Sequence, residues 1–187
     1  HGTVSGRYGS DLQQLPKPVD KEDEDKVHPL QVKYTNVVRE FFVAKEGRVF
    51  IDADYESLEP HVFGDDAGDE PILDIFHKGY DMYSTVGIMA DPSLEGRRDE
   101  FSPDKSAPNY LKKHMPTVRQ HAKSYTLGIR YGMRGFKLSH TLGITIEDAD
   151  LIVENYFAAF PKLKASMDKY ATQAKKYGKV FSPYGRV

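Results

Sequence analysis

Helix start and stop signals divide the stretch from Pro116 to Gly178. Proline is tolerated in the first turn of a helix, and glycine commonly follows the last turn. Thr145, with Asp148 three residues later, forms a capping-box-like start. These signals predict helices over residues 117–131, 136–142 and 146–158, and a last helix from Pro161 to Gly178. The middle of the chain, roughly residues 79–177, is therefore predicted to be all helical.

The preceding residues mix strand and helix signals. Residues 37–44 and 47–53 combine β-branched and aromatic side chains, which predicts two strands. Further signals predict helices that begin near Ser57, at Glu70 and at Met82, followed by a loop over 90–106. A last short strand is predicted over residues 179–182. The predicted fold class is therefore α+β and mostly helical.

Composition bounds the class of protein. The 187 residues fit one ordinary domain with a buried core. The absence of cysteine excludes a disulfide framework and a thiolate metal site. No apolar run approaches the roughly 20 residues that cross a bilayer, and no charged-then-apolar leader opens the chain. We therefore expect an intracellular protein.

Charge is segregated along the chain, although the net charge is only −2. Residues 51–76 contain nine Asp or Glu and no Lys or Arg, whereas residues 105–146 contain eight Lys or Arg and no Asp or Glu. Such a chain could present a cation-attracting acidic site beside a phosphate-attracting basic surface. The alternative is two solvated faces that balance each other.

One candidate site is the acidic group around Asp54. Asp52 and Asp54 are two residues apart on a predicted strand, so their side chains share a face, and Glu56 and Glu59 follow them. Carboxylates at the end of a strand form a hard oxygen site of the kind that Mg²⁺ uses, and such ions serve phosphoryl transfer. The alternative is that these acids cap the next helix, whose N-terminus favours negative charge.

A second candidate is a stripe on the helix after Pro116, in which four residues recur every fourth position: Arg119, Lys123, Leu127 and Tyr131. This spacing places them along one slanting face. Two cations one turn apart near a helix start fit a triphosphate, and the apolar and aromatic positions beyond them fit a base. The alternative is a partly buried helix whose cationic side chains cover apolar neighbours.

Three segments, in this order, resemble family A (Pol I-like) DNA polymerases. Residues 5–16 contain SGR and LQQLP, which are similar to the family's TGR and LQN-(I/L)-P sequences that contact primer and template. Residues 54–60, DYESLEP, resemble motif A, which reads DYSQIEL in the family. Residues 119–133, RQHAKSYTLGIRYGM, resemble motif B, R-x₃-K-x₃-F-G-x₂-Y-G-M. The similarity spans nearly the whole chain, and motif B after motif A is a specific signal.

The resemblance implies a role for each matching residue. Asp54 would bind a catalytic Mg²⁺, with the Tyr55 carbonyl as a second metal contact, in a two-metal site whose second carboxylate is not in this chain. Glu59 would exclude a ribose 2′-hydroxyl. Arg119 and Lys123 would hold the dNTP triphosphate on the O helix of the fingers.

The resemblance also implies contacts with bases and with duplex DNA. Tyr131 would lie near the templating base, and Arg7 and Gln13 would contact the duplex. The implied catalytic residues are Asp54, Arg119, Lys123 and Tyr131. The implied dNTP contacts are Tyr55, Glu59, Arg119, Lys123, Leu127 and Tyr131.

Three residues depart from the family pattern. Leu127 stands where the family usually has Phe or Tyr, although leucine there also occurs among viral members. Tyr83 stands where bacterial members tend to have His, and Asp52 is an additional acid beside Asp54. The viral-like substitutions suggest a phage origin, which would place the protein in the cytoplasm of a bacterial host.

The resemblance implies a partial polymerase palm of short antiparallel strands with an inserted helical fingers subdomain. Residues 1–78 would belong to the palm and the primer-contacting loop, residues 79–177 to the fingers, and residues 178–187 to the return into the palm. Motif C, which supplies the second metal-binding carboxylate, would lie beyond Val187. We therefore expect activity to need a further segment, from a longer enzyme or from a second polypeptide.

Two functions follow from these features. The first is a DNA-directed DNA polymerase, a nucleotidyltransferase of DNA replication, with a DNA primer–template and dNTPs as partners and Mg²⁺ as cofactor. The second is a non-catalytic nucleic-acid- or nucleotide-binding module derived from a polymerase. Leu127 and the missing motif C favour the second function. Restored synthesis after addition of the missing palm segment would favour the first.

Overall fold

The computed structural model describes residues 19, 27–51, 53–182 and 185, without the side chains of residues 36 and 39. The chain divides between Asp54 and Tyr55 into two compact units. One α-helix lies in the described part of the first unit, and eight lie in the described part of the second.

In the first unit, helix α1 covers Pro29–Glu40. Residues 41–51 and 53–54 are neither helix nor strand. The predicted strand over 37–44 is therefore wrong, because its first residues are helical, and the described residues of 47–53 also form no strand. β-branched and aromatic residues favour a strand only where a neighbouring strand and a packing surface are present. Here Val49 and Ile51 are 81% and 88% exposed.

The second unit is helical. Its helices are α2 (Leu58–Ala67), α3 (Glu70–His77), α4 (Met82–Ala90), α5 (Leu111–His114), α6 (Pro116–Arg130), α7 (Gly135–Leu142), α8 (Ile146–Ala159) and α9 (Pro161–Tyr177). All except α5 confirm predicted helices. Two 3-10 turns, Pro92–Leu94 and Arg98–Glu100, lie within the predicted loop.

The residues that the structure describes contain no β-strand, and their single isolated parallel bridge joins Ser102 to Tyr110. Residues 179–182, predicted as a strand, are irregular. The predominance of helix is therefore confirmed, whereas the short antiparallel strands of a palm are not found in this part of the chain. None of the described helices is both long enough and apolar enough to span a membrane.

Local capping sets the ends of the helices. Asp81 accepts a hydrogen bond from the Ser84 N–H at the start of α4, at 3.3 Å. Thr145 accepts one from the Asp148 N–H at 3.1 Å and donates its hydroxyl to the Asp148 carboxylate at 2.8 Å, which confirms a side-chain cap at the start of α8. Gly178 ends α9 with a φ of 70°, in the left-handed region that favours glycine.

The main core forms where α4 packs against both α6 and α8, and where α7 packs against α8. Its fully buried side chains include Ile72, Val86, Tyr125, Ile129, Leu138, Tyr156, Phe160 and Leu163. Gly87 permits a close approach of α4 to α6, because a Cβ there would lie 3.2 Å from Leu111 Cδ2 and 3.4 Å from Ala122 Cβ. Each fully buried large side chain contributes about 1.5–3 kcal/mol. The inner face of α6 is therefore firmly fixed.

Candidate nucleotide-binding site

Helix α6 presents the predicted stripe beside its buried face. Its inner face buries Val118, Ala122, Tyr125 and Ile129. Next to that face, Lys123 is exposed and Leu127 is half-buried. Tyr131, directly after the helix, is 69% exposed. Arg119 is half-buried, with 21% of its side chain exposed. The structure therefore keeps the two cations, the aliphatic position and the ring in order along one accessible side of α6.

Arg119 forms a two-point ion pair with Asp81, the residue that caps α4. The Arg119 Nε donates to Asp81 Oδ2 at 2.6 Å, and Nη2 donates to Oδ1 at 3.0 Å. Asp81 also accepts hydrogen bonds from the hydroxyls of Ser84, at 2.5 Å, and Tyr110, at 3.0 Å. A carboxylate that is only 2% exposed needs such pairing to remain ionised. We call Asp81, Ser84, Tyr110 and Arg119 the Asp81 cluster.

Burial and hydrogen bonding act in opposite directions on the ionisation of the Asp81 cluster. Burial opposes ionisation of Asp81, but the hydrogen bonds from Arg119 and Ser84 and the Arg119 charge outweigh burial, so the pKa of Asp81 lies below its usual value. Burial lowers the pKa of Arg119, but the Asp81 hydrogen bond and charge together raise it by more, so the pKa lies above its usual value. Burial and the Asp81 charge raise the pKa of the Tyr110 hydroxyl. The cluster therefore keeps a fixed set of charges around neutral pH.

The Tyr83 ring lies beside both cations of the stripe. The Arg119 guanidinium carbon is 5.5 Å from the ring centroid, and the Lys123 Nζ is 5.9 Å from it. Cations within about 6 Å of an aromatic ring are attracted by its electron-rich face. Tyr83 is half-buried and packs on the main core. The ring therefore gives both cations a common, fixed contact.

The acidic residues of motif A lie at the boundary between the two units. Asp54 ends the first unit and is exposed, and Tyr55 begins the second and is 77% exposed. Glu59 is half-buried in the first turn of α2. Asp52 lies outside the described residues and Asp54 is not in a strand, so the predicted pairing of the two on one strand face is not found. Across the described residues, no group of three or more His, Asp or Glu side chains is arranged to hold a metal ion.

The residues that follow Tyr55 make a contact that was not predicted. Glu56 accepts a hydrogen bond from the Lys105 ammonium group at 2.5 Å. Both side chains are well exposed, at 70% and 46%, so the pair contributes little stability. Ser57 has a φ of 52°, which is uncommon for a residue other than glycine. The alternative interpretation, in which the acids favour the N-terminus of α2, is supported by Glu59 in its first turn, whereas Glu56 pairs with Lys105.

The sequence model of DNA polymerase family A matches residues 1–187. The chain belongs to this family. It is similar to the thermostable DNA polymerase I of Thermus filiformis, with 29% identity over 161 residues, which cover 84% of this chain and 17% of the relative. It is also similar to DNA polymerase I of Lactococcus lactis, with 26% identity over 177 residues, which cover 95% of this chain and 18% of the relative. The chain thus spans less than a fifth of the length of these relatives.

A solved family structure also resembles the chain. It is the POL domain of Pol1 from M. smegmatis, in complex with DNA primer-template and dNTP. The TM-score is 0.56 and the identity 25%, over 71% of this chain and 21% of that chain. The predicted family is therefore confirmed, whereas the predicted phage origin stays a prediction. Arg7 and Gln13, the predicted duplex contacts, lie outside the described residues.

The Asp81 cluster is the part of the candidate site that the sequence did not predict. One local signal was present, because Asp81 with Ser84 three residues later is a helix N-cap pattern. Nothing local linked Asp81 to Tyr110 or Arg119, which are 29 and 38 residues away along the chain. Those contacts depend on how the helices pack.

Proposed function

We propose that this chain is the dNTP-binding part of a DNA-directed DNA polymerase. In the proposed reaction the primer 3′-hydroxyl attacks the α-phosphate of a template-selected dNTP, and pyrophosphate leaves. The observation that carries this proposal is the pair of cations Arg119 and Lys123, one turn apart on the accessible side of α6, in a chain of DNA polymerase family A. Phosphoryl transfer depends mostly on positioning and charge neutralisation, and such a pair supplies both.

Arg119 and Lys123 have different roles in the proposed site. The Arg119 guanidinium is a planar fork whose orientation is set by Asp81. The Lys123 ammonium is a compact charge on a flexible, exposed side chain. Arg119 therefore defines where the end of the triphosphate lies, and Lys123 follows the phosphates as they shift during the reaction.

The far end of the stripe would serve the base. Leu127 offers an aliphatic surface to the nascent base pair, and Tyr131 offers an exposed ring to the templating base. Stacking of a base on an aromatic side chain contributes about 1–3 kcal/mol. The support for this assignment is the order along α6, in which the phosphate-binding cations precede the stacking surface by about one to three turns.

The acidic residues would serve the metal ion and the sugar. Mg²⁺ is commonly held by only one or two carboxylates together with substrate phosphates and water, so the exposed Asp54 carboxylate fits that limited role. The Tyr55 carbonyl is the proposed second metal contact. When bound, the ion would neutralise phosphate charge. Glu59 would lie against the sugar and exclude a 2′-hydroxyl.

The proposed partners are a DNA primer–template and dNTPs. The similar M. smegmatis domain is a complex with both, which supports this choice. Arg7 and Gln13 are the proposed duplex contacts. The division into palm (1–78 and 178–187) and fingers (79–177) remains a prediction, as does completion by a second polypeptide.

Titration of this chain with dTTP and Mg²⁺ by isothermal calorimetry tests the triphosphate assignment. Lys123→Ala removes a charge-assisted contact of about 1.5–3 kcal/mol, so affinity is expected to fall by about ten- to a hundred-fold. The matched control is Lys137→Ala, an exposed lysine on α7, which is expected to leave affinity unchanged. Equal affinity of the wild type and Lys123→Ala would remove the triphosphate site.

The sugar assignment has its own test. Glu59→Ala is expected to lower the ratio of the affinity for dUTP to that for UTP, two nucleotides that differ only in the 2′-hydroxyl, because the side chain that excludes this hydroxyl is gone. Glu147→Ala, which removes another acid from the first turn of a helix, is the control. An unchanged ratio in the Glu59 variant would count against its role at the sugar.

A further inference from the structure

On the basis of the triphosphate site proposed above, we propose that Asp81 and Tyr110 are positioning residues, which fix the Arg119 guanidinium so that its remaining N–H groups face the phosphates. Neither residue belongs to motif A or motif B. Both act through Arg119 and need not touch the nucleotide. Asp81 is the N-cap of α4, and Tyr110 lies immediately before α5.

The number of donors on Arg119 permits this role. A guanidinium carries five N–H groups: one on Nε and two on each Nη. Asp81 takes one from Nε and one from Nη2, which leaves three for another acceptor. Because the two used groups share one edge of the planar fork, the unused groups point along the other edges. Arg119 can therefore bind Asp81 and a phosphate oxygen at the same time.

The surroundings of Asp81 make it a rigid support. Its carboxylate accepts from the Ser84 N–H and hydroxyl within α4 and from the Tyr110 hydroxyl. Its own N–H donates to the Pro103 carbonyl at 3.0 Å. The Tyr110 N–H in turn donates to the Ala107 carbonyl at 3.2 Å. The support is therefore built from α4 and the loop before α5, two segments that do not carry the stripe itself.

The Asp81 carboxylate is negatively charged, so it also opposes binding of a polyanion. The direction in which the affinity changes when this carboxylate is removed therefore distinguishes positioning from simple electrostatics. Asp81 cancels much of the Arg119 charge, so simple electrostatics predicts that removing the carboxylate would strengthen binding of a polyanion. Positioning predicts the opposite, because a free arginine must give up rotamer freedom when it binds. An asparagine at 81 would also present an amide N–H₂ towards the guanidinium donors. We expect the positioning effect to exceed the charge effect.

The test measures binding of inorganic tripolyphosphate to the full 187-residue chain, without metal, by isothermal calorimetry. Asp81→Asn is expected to weaken binding by about tenfold. Tyr110→Phe, which keeps every charge, is expected to weaken it by about threefold. Tyr170→Phe is the matched control, because it removes another tyrosine hydroxyl that donates to an aspartate, the bond to Asp66 at 3.0 Å. It should leave the affinity unchanged.

A double-mutant cycle separates positioning from a general structural effect. If Tyr110 acts through Arg119, then Tyr110→Phe should have no further effect once Arg119 is alanine. Circular dichroism checks that each variant folds, and Tyr110→Phe decides the question if Asp81→Asn does not fold.

Each result supports or overturns either the positioning role or the triphosphate site. Tighter binding by Asp81→Asn, or an equal loss from Tyr110→Phe with and without Arg119, would overturn the positioning role. An affinity that depends on Lys123 but not on Tyr110 would overturn the positioning role while leaving the triphosphate site intact. Equal affinities of the wild type and Lys123→Ala would overturn the triphosphate site and the positioning role with it.

Discussion

Replacing Asp69 by alanine should destabilise the second unit, because this carboxylate joins two helices that are distant in sequence. Asp69 precedes α3, and its side chain is fully buried but does not cap its own helix. Its Oδ2 instead accepts a hydrogen bond from the Leu163 N–H, in the first turn of α9, at 2.8 Å. Asp69 thus caps α9, although Leu163, the residue that it caps, lies 94 residues further along the chain.

The expected loss in the free energy of unfolding follows from the Asp69–Leu163 hydrogen bond. A hydrogen bond to a charged group contributes about 1.5–3 kcal/mol, and a negative charge at a helix N-terminus adds about 0.3–1 kcal/mol. Removing the side chain also leaves the Leu163 N–H without its acceptor, at a residue that is 1% exposed. The other carboxylate oxygen, Oδ1, has no hydrogen-bond partner among the described residues, and losing it recovers part of the cost. We expect a net loss of about 2 kcal/mol.

Urea unfolding followed by circular dichroism measures this loss, as a lower midpoint with an unchanged slope. The neighbouring acid provides the control. Glu70 also reaches α9, through a pair with Lys162 at 3.3 Å, but both side chains are largely exposed, at 81% and 56%. Glu70→Gln should therefore cost less than about 0.5 kcal/mol. A cost of Asp69→Ala below about 0.5 kcal/mol, or an equal cost of Glu70→Gln, would contradict the capping of α9 by Asp69.

Two further predictions concern packing and pH. Gly64→Ala should cost about 1–2 kcal/mol in urea unfolding, since the new Cβ would lie 2.6 Å from Cγ2 and 3.0 Å from Cβ of the stiff, buried Ile72. Gly128→Ala should cost less than about 1 kcal/mol, because its nearest neighbour, at 2.7 Å, is the flexible end of Met133; an equal or larger loss would contradict this contrast. In acid, the lowered pKa of Asp81 means that its stabilising contribution is complete above about pH 4 and is lost as the pH falls through that lowered value. The difference in unfolding free energy between wild type and Asp81→Asn should therefore shrink below about pH 4, and a constant difference would contradict the ionised pair.

The sequence predicted those helices whose ends are marked locally. Proline at 116 and 161, glycine at 143 and 178, and the Thr145 cap set boundaries that do not depend on the rest of the fold. The strand prediction over 37–44 was wrong, and the described residues of 47–53 form no strand, for a corresponding reason. A strand needs a partner, and composition alone does not supply one.

The candidate site likewise has one part that the sequence predicted and one that it did not. The stripe from Arg119 to Tyr131 follows from helical spacing, because four residues make about one turn. The Asp81 cluster could not be predicted, since it joins α4, the loop before α5 and α6 through side chains far apart in sequence. Asp69, which caps α9, was missed for the same reason. Local rules identify surfaces, whereas contacts between distant segments depend on packing.

Primer extension tests the polymerase function most directly. The chain is mixed with a DNA primer–template, dNTPs and Mg²⁺, first alone and then with a donor fragment that supplies motif C and the rest of the palm. We expect synthesis only with the donor, and strongly reduced synthesis when the chain carries Lys123→Ala. Synthesis by the chain alone would contradict the need for a second carboxylate. No synthesis in a mixture shown to bind both primer–template and dNTP would contradict the polymerase function and favour a non-catalytic binding module.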